Sequence, residues 1–259
     1  MNEREYALMR QVEDAHWWYA TLRQSVAAEL KARLTGRTDV RILDAGCGTG
    51  GMMEVLRRQN PSWQLTGLDV AAQAVELTRE RGFTDVTEGS VNALPYPEAS
   101  FDAVLSLDVL YFQGVNEAQA TAEIHRVLKP GGVLVLNLPA FPLLRGKHDL
   151  AVSGVSRYTQ SQVQKLLKQG SMQIVHMHCW NLWLFLPILC WRVASRVGKR
   201  GRAAARSDLF MPPAFANRAL TFLARADAAV CRAIHSPLGT SVYAVARKNP
   251  DVPLVSHQR

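Results

Sequence analysis

The sequence predicts an α/β fold built on a mostly parallel, doubly wound sheet. Three observations predict it. Short β-rich runs alternate with helical periods through the middle of the chain, and the first run ends in a glycine cluster. A later run, Val-Leu-Val-Leu-Asn-Leu at 133–138, has the composition of a strand buried on both faces. With 259 residues, 48% of them apolar and 20% charged, the chain has enough material for one large domain or one domain carrying an insertion.

The elements follow in order. Residues 3–34 are largely helical by pattern and carry the cluster His16-Trp17-Trp18-Tyr19. A strand at 40–43 runs into Asp44 and the glycines, and a helix follows at 52–59. The second strand, 64–68, ends at Asp69; the helix at 71–80 is closed by Gly82, a usual C-cap residue. After a strand at 101–107, residues 116–128 form a helix with Asn116 and Gln119 placed as a capping box and Pro130 as its stop. The strand at 133–138 and a helix at 159–169, capped by Thr159 and Gln162, complete this run. Residues 172–179 and 241–248 read as two final strands. The stretch between them is too long for an ordinary connection, so an insertion is expected there.

Charge is unevenly placed. Residues 1–149 hold 15 Lys/Arg and 19 Asp/Glu, whereas residues 150–259 hold 15 and 3, within a chain of net charge +8. An anionic partner should therefore meet the back half. No charge-free run reaches transmembrane length, and the polar, acidic beginning does not read as a secretory signal. Cys47, Cys179, Cys190 and Cys231 share no metal-ligand spacing and suit a reducing cytoplasm.

The loop Asp44-Ala45-Gly46-Cys47-Gly48-Thr49-Gly50-Gly51 joins a strand to a helix. Gly46, Gly48 and Gly51 formally satisfy the dinucleotide fingerprint, but Asp44 beside them would repel a pyrophosphate and attract an ammonium. Asp69, at the end of the second strand, is placed to accept ribose hydroxyls in either kind of site.

The segments ILDAGCGTGG (42–51), LTGLDV (65–70), EGSVNALPYPEASFDAVLSLDVLYF (88–112) and LKPGGVLVLNLP (128–139) resemble the successive motifs of class I S-adenosylmethionine-dependent methyltransferases. The resemblance covers residues 38–140. It implies a Rossmann-like, seven-stranded sheet whose last two strands form a reversed hairpin. It also implies the cofactor S-adenosylmethionine, with Asp44, Gly46 and Gly48 at the methionine moiety and Cys47 and Gly50 in the same loop. Asp69 falls at the ribose, Val70 beside the adenine, Ser90 and Val91 at the adenine amino group, and Leu107 and Asp108 along the pocket. Where many relatives read DVLEH, this chain has Asp108-Val109-Leu110-Tyr111-Phe112, which replaces an acid-histidine pair with two aromatics.

The aromatic cluster resembles the N-terminal lid of small-molecule and lipid-directed members. Trp17, Trp18 and Tyr19 would then shape the acceptor cavity, with Arg23 near the methionine carboxylate; the alternative is a helix merely anchored by its tryptophans. His148-Asp149 and Arg157-Tyr158 resemble segments that border the acceptor site in the same subgroup. His148 is the expected base, Asp149 its orienter, and Tyr111, Arg157 and Tyr158 acceptor contacts. His176 and His178 share a strand face without a third ligand, so no metal is assigned.

The expected organisation is a helical lid at 1–37, a core at 38–180 and 240–249, and an apolar, basic insertion at 181–239. Within and beside the insertion, 179–191 holds three tryptophans and no charge. Arg192, Arg196, Lys199 and Arg200 follow on one helical stripe, with Arg202 and Arg206 beyond. After Pro212-Pro213, Phe215, Phe222 and Ala226 are expected opposite Arg218, Arg225 and Arg232. An anionic membrane surface met by Trp180–Arg206 fits this composition, placing the protein in the cytoplasm at the inner face of a membrane. A structural subdomain or dimer face and a nucleic-acid surface are the alternatives, though no RNA-binding module is recognised. The function these features imply is methyl transfer to a small or amphipathic acceptor. An RNA methyltransferase and a non-catalytic cofactor-binding regulator remain the competing classes.

Overall fold

A computed structural model describes residues 3–146, 149, 154–197 and 210–249. Seven strands form its sheet: β1 (Arg41–Ala45), β2 (Gln64–Asp69), β3 (Val86–Glu88), β4 (Phe101–Leu107), β5 (Leu128–Pro139), β6 (Met172–Trp180) and β7 (Ser241–Lys248). Their order is β3-β2-β1-β4-β5-β7-β6. The first five are parallel; β7 runs antiparallel to both β5 and β6. This is the expected sheet with its reversed terminal hairpin. Strand order reverses between β1 and β4, so a crevice opens beyond their carboxyl ends, where Asp44 and Asp108 lie.

Among the described residues the α-helices are α1 (Glu3–Val12), α2 (Trp17–Leu34), α3 (Gly51–Gln59), α4 (Ala72–Glu80), α5 (Glu117–Val127), α6 (Gln160–Gln169), α7 (Leu182–Val197) and α8 (Ala214–Ala233). Two apolar clusters sandwich the sheet. Phe101, Ile124, Leu128 and Leu167 belong to one, and Val26, Leu30, Ile42 and Tyr243 to the other.

Four sequence expectations need correction. The helix expected over 3–34 is two helices, because His16 takes an extended conformation and its Nδ1 accepts from the Trp18 N–H at 3.3 Å. That break lets α1 fold back over the glycine loop. Strand β3 escaped notice because three residues carry no readable period. Strand β6 runs on through Trp180, one residue past its expected end, and the apolar helix starts only at Leu182. Strand β5 begins at Leu128, so α5 stops before Pro130 is reached.

Helix α7 starts from Asn181, which holds a positive φ of 60°. Its orphan N–H groups are met from another helix. The Asp227 carboxylate of α8 accepts from the backbone N–H of Asn181 (2.7 Å), Leu182 (3.2 Å) and Trp183 (3.2 Å). A carboxylate on a helix N-terminus is favoured by charge as well as by hydrogen bonding. Asp227→Ala should therefore cost about 1–2 kcal/mol, the usual worth of such a cap. Hydrogen exchange should show the loss concentrated in α7, with the sheet unchanged.

Candidate functional site

A cavity of about 610 Å³ lies beyond the carboxyl ends of β1, β2 and β4. Its floor is the glycine loop. Gly46 has φ 98°, and a Cβ there would stand 2.2 Å from Val109 Cγ2; at Gly48 (φ 56°) a Cβ would meet Met9 Cε at 2.8 Å. Only glycine allows this turn to hold its shape so close to β4 and α1.

Two carboxyls meet at this floor. Asp44 is 3% exposed, and its carboxylate has no hydrogen-bond partner among the described residues. Burial, with Asp69 and Glu13 nearby, pushes it up to about 7, against the lowering influence of Arg23. Asp69 is well held: it accepts from Tyr6 Oη (3.1 Å), the Gly48 N–H (2.9 Å) and the Ala71 N–H (3.0 Å). Tyr6 thus stands where a ligand hydroxyl would reach Asp69, and burial raises its phenol well above the ordinary value.

Farther in, Asp108 sits in the left-handed region at φ 56°, just past β4. Its Oδ2 accepts from Asn137 Nδ2 at 3.0 Å, and Asn137 Oδ1 accepts from Trp180 Nε1 at 2.9 Å. An indole can only donate, so it fixes which way the Asn137 amide faces and hence that Asp108 accepts. Burial also raises Asp108 to about 7, the Asn137 bond and Arg157 acting in the opposite sense.

Arg23, Asp44, Gly46, Cys47, Gly48, Asp69, Val70, Ser90, Val91, Leu107 and Asp108 all line this cavity, as do Trp17, Trp18, Tyr19, Tyr111, Arg157 and Asp149. Two expected members are elsewhere. Gly50 is the left-handed N-cap of α3 and faces Thr78 of α4. Tyr158 points away from the cavity, its hydroxyl on Glu117 Oε1 at 2.6 Å. His148 lies outside the described residues, as do Lys199, Arg200, Arg202 and Arg206 and the side chain of Arg196. Asp149 is occupied by Arg157, whose Nε donates to it at 2.8 Å, and by the Gly146 N–H at 2.7 Å. Arg192, expected on an outward stripe, turns inward instead: it lines the cavity and donates to the Leu144 carbonyl at 3.3 Å.

The N-terminal segment supplies residues that no sequence signal marked. Glu5, Tyr6, Met9 and Glu13 reach the cavity from the N-terminal segment. Glu13, 2% exposed, accepts from the guanidinium groups of Arg23 and Arg81 and from the Thr49 hydroxyl. Asp14 pairs with Arg81 at 2.9 Å. One buried carboxylate therefore ties α1, α2, the glycine loop and the end of α4 together.

This donor set fits S-adenosylmethionine. The glycine turn leaves room for close backbone approach, and Asp44 offers unpaired negative charge to a cation. The cations near the loop, Arg23 and Arg81, are already engaged by Glu13. A pyrophosphate would meet two acids where it needs donors.

Residues 43–136 match the family described as a methyltransferase domain. Over 115 residues the chain is 36% identical to malonyl-[acyl-carrier protein] O-methyltransferase of Enterobacter lignolyticus, covering 44% of each protein. It is likewise 36% identical over 119 residues to demethylmenaquinone methyltransferase of Deinococcus radiodurans, covering 44% of this chain and 47% of that protein. In both cases the match spans less than half of the curated relative. A solved SAM-dependent methyltransferase of Thermotoga maritima superposes with a TM-score of 0.59 at 15% identity, over 95% of this chain and 96% of that one, and so shares the fold.

Glu13→Ala would leave Arg23 and Arg81 short of their buried partner, a loss of about 3 kcal/mol by the usual cost of breaking such a pair. Urea unfolding should register it, and hydrogen exchange should find α1 loosened first.

Proposed function

This chain carries a class I S-adenosylmethionine-dependent methyltransferase domain, and from that premise we propose that it methylates a small amphipathic, lipid-like acceptor. The observation that supports this reading is the mixed lining of the cavity. Asp44, Asp69 and the glycine turn share it with Trp17, Trp18, Tyr111, Leu184 and Ile188 and with the cations Arg157 and Arg192. An apolar body and an anionic or polar head suit such a lining. The relatives named for a malonyl group on acyl-carrier protein and for demethylmenaquinone are in keeping with it.

When bound, S-adenosylmethionine supplies a methyl carbon activated by its sulfonium. The chain's own task is to align, to exclude water and to manage a proton. Asp44 would hold the ammonium, Asp69 the ribose hydroxyls, and Ser90 and Val91 the adenine. Trp17, Trp18 and Tyr19 close the acceptor side, and Arg23, tied to Glu13, keeps the lid helix on the loop. An acceptor hydroxyl must shed its proton as the new bond forms. Asp108, its Oδ2 oriented through Asn137 and Trp180, can take it at Oδ1. His148, which precedes Asp149 in the chain, is the alternative recipient.

Release of S-adenosylhomocysteine during incubation with fractionated membrane lipid, and not with RNA, tests the reading; label entering the RNA pool alone would overturn it. Proton linkage gives a second test. Asp44 is neutral below about pH 7 in the free protein, so its charge appears as pH rises. Calorimetric affinity for the cofactor should strengthen about tenfold from about pH 6 to about pH 8, and Asp44→Asn should flatten that dependence. The same raised carboxyls, Asp44 and Asp108, hold extra protons in the fold. The unliganded chain should therefore lose stability between about pH 4 and about pH 7, and thermal melts should show the cofactor restoring it. With a hydroxyl acceptor, Asp108→Asn should lower kcat about a hundredfold or more while cofactor affinity changes little.

A further inference from the structure

Helix α8 is inverted. Its inner side, packed on α2 and β6, is small and polar: Asn217, Thr221, Ala224, Asp227, Ala228 and Cys231. Each of the polar members is in use. Asn217 accepts from the Trp17 N–H at 2.9 Å and donates to the Ala15 carbonyl at 2.8 Å, and Asp227 caps α7. The large apolar residues point the other way. Phe215 is 79% and Phe222 77% exposed, and Leu223 and Val230 are exposed beside them. Ala219, Ala226, Ala229 and Ala233 fill the rest of that stripe and are exposed too.

At about 100° per residue, Arg218, Arg225 and Arg232 fall on one flank of this stripe, seven residues apart. All three are exposed. They lie beside the phenylalanines, not opposite them as the sequence pattern suggested. The helix's single acid, Asp227, faces inward. Contiguous exposed apolar residues with a charged border mark an interaction surface.

We infer that the outer face of α8 is a docking surface for an anionic lipid bilayer, with Phe215 and Phe222 entering the interface and the arginine flank meeting acidic headgroups. An in-plane helix with an apolar face and a basic border has the chemistry that such a surface selects. Charge complementarity separates it from pairing with a second copy. An antiparallel two-fold contact through this stripe would set arginine flank against arginine flank. No helix among the described residues is long and apolar enough to cross a membrane, so the contact would be superficial. Its position has a consequence for the site. Through Asn217, α8 is bonded to the start of α2, where Trp17 lines the cavity. Docking would hold Trp17 and the cavity it lines close to the bilayer, where an amphipathic acceptor resides. The inference thus deepens the acceptor reading and rests on it.

The test uses the full chain and vesicles of phosphatidylcholine with or without phosphatidylglycerol. Cosedimentation should require the anionic lipid and weaken as salt is raised. Two variants, Phe215→Ser with Phe222→Ser and Arg218→Ala with Arg225→Ala, should each lower partitioning about tenfold or more. Arg232 is left intact because it also pairs with Glu29 at 3.0 Å. Circular dichroism and calorimetric cofactor affinity should be unchanged in both, since the altered side chains are exposed and remote from the glycine loop. Wild-type protein that ignores phosphatidylglycerol vesicles would overturn the inference. So would a phenylalanine variant that binds them as wild type does, or a wild-type dimer that the same variant converts to monomer without any vesicle binding. Loss of cofactor binding with vesicle binding intact would instead overturn the catalytic reading and leave this surface standing.

Discussion

A carboxylate held away from water needs a cation, a set of donors or a proton, and the ends of β1, β2 and β4 present one solution each. Asp69 has donors: two backbone N–H groups and a phenol. Asp108 has one amide donor and otherwise keeps a proton near neutrality. Asp44 has no donor among the described residues, and burial raises it against the pull of Arg23. Because the glycine turn brings this unsatisfied charge to an open cavity, the unliganded site is electrostatically incomplete. A cationic ligand would relieve that deficit; an anionic one would deepen it. The choice between a sulfonium donor and a dinucleotide therefore rests on one side chain more than on the glycines, which both ligand classes require.

The same economy governs the N-terminal helices. Helix α1 has little to bury by itself, and its attachment is largely polar. Glu13 gathers Arg23 and Arg81 about one carboxylate, while Tyr6 reaches Asp69. The N-terminal segment and the site consequently share groups. Tyr6 holds one acceptor position of Asp69, and Arg23 already gives two donors to Glu13. A ligand reaching Asp69 or Arg23 would therefore compete with bonds that fasten α1 and α2 to the glycine loop.

What was legible in the sequence divides along physical lines. The strands β4 and β5 were readable because burial on both faces demands largely apolar runs, and β1 and β2, with Asp44 and Asp69 at their ends, because each short β-rich run leads into a loop and a helix. The pairing of Glu13 with Arg23 and Arg81 was not readable, since an acid on an amphipathic helix looks solvated until its partners are known. Nor was the break at His16, which uses an imidazole cap in place of a glycine or proline. Gly50 and Tyr158 were misplaced by adjacency: the first turns toward Thr78 while its neighbours face the cavity, and the second alternates away from Arg157 on the same extended segment. Arg192 shows the reverse. A helical stripe predicted that it would face outward, but the cavity wall formed by Leu184 and Ile188 continues through its position, four residues farther along the helix.

Helix α8 carries the point furthest. Its pattern of apolar and basic residues was plain, yet a pattern fixes only which residues share a face, never which face is buried. Ordinarily the apolar face is inside because nothing else can cover it. Here the inner surface is decided by hydrogen bonding. The N-termini of α2 and α7 leave unpaired backbone groups, and Asn217 and Asp227, ten residues apart, are the side chains that meet them. Turning the helix over to bury Phe215 and Phe222 would strand those groups and expose the cap. The polar side wins the interior because its partners are directional, and the apolar side is left for a partner that is not.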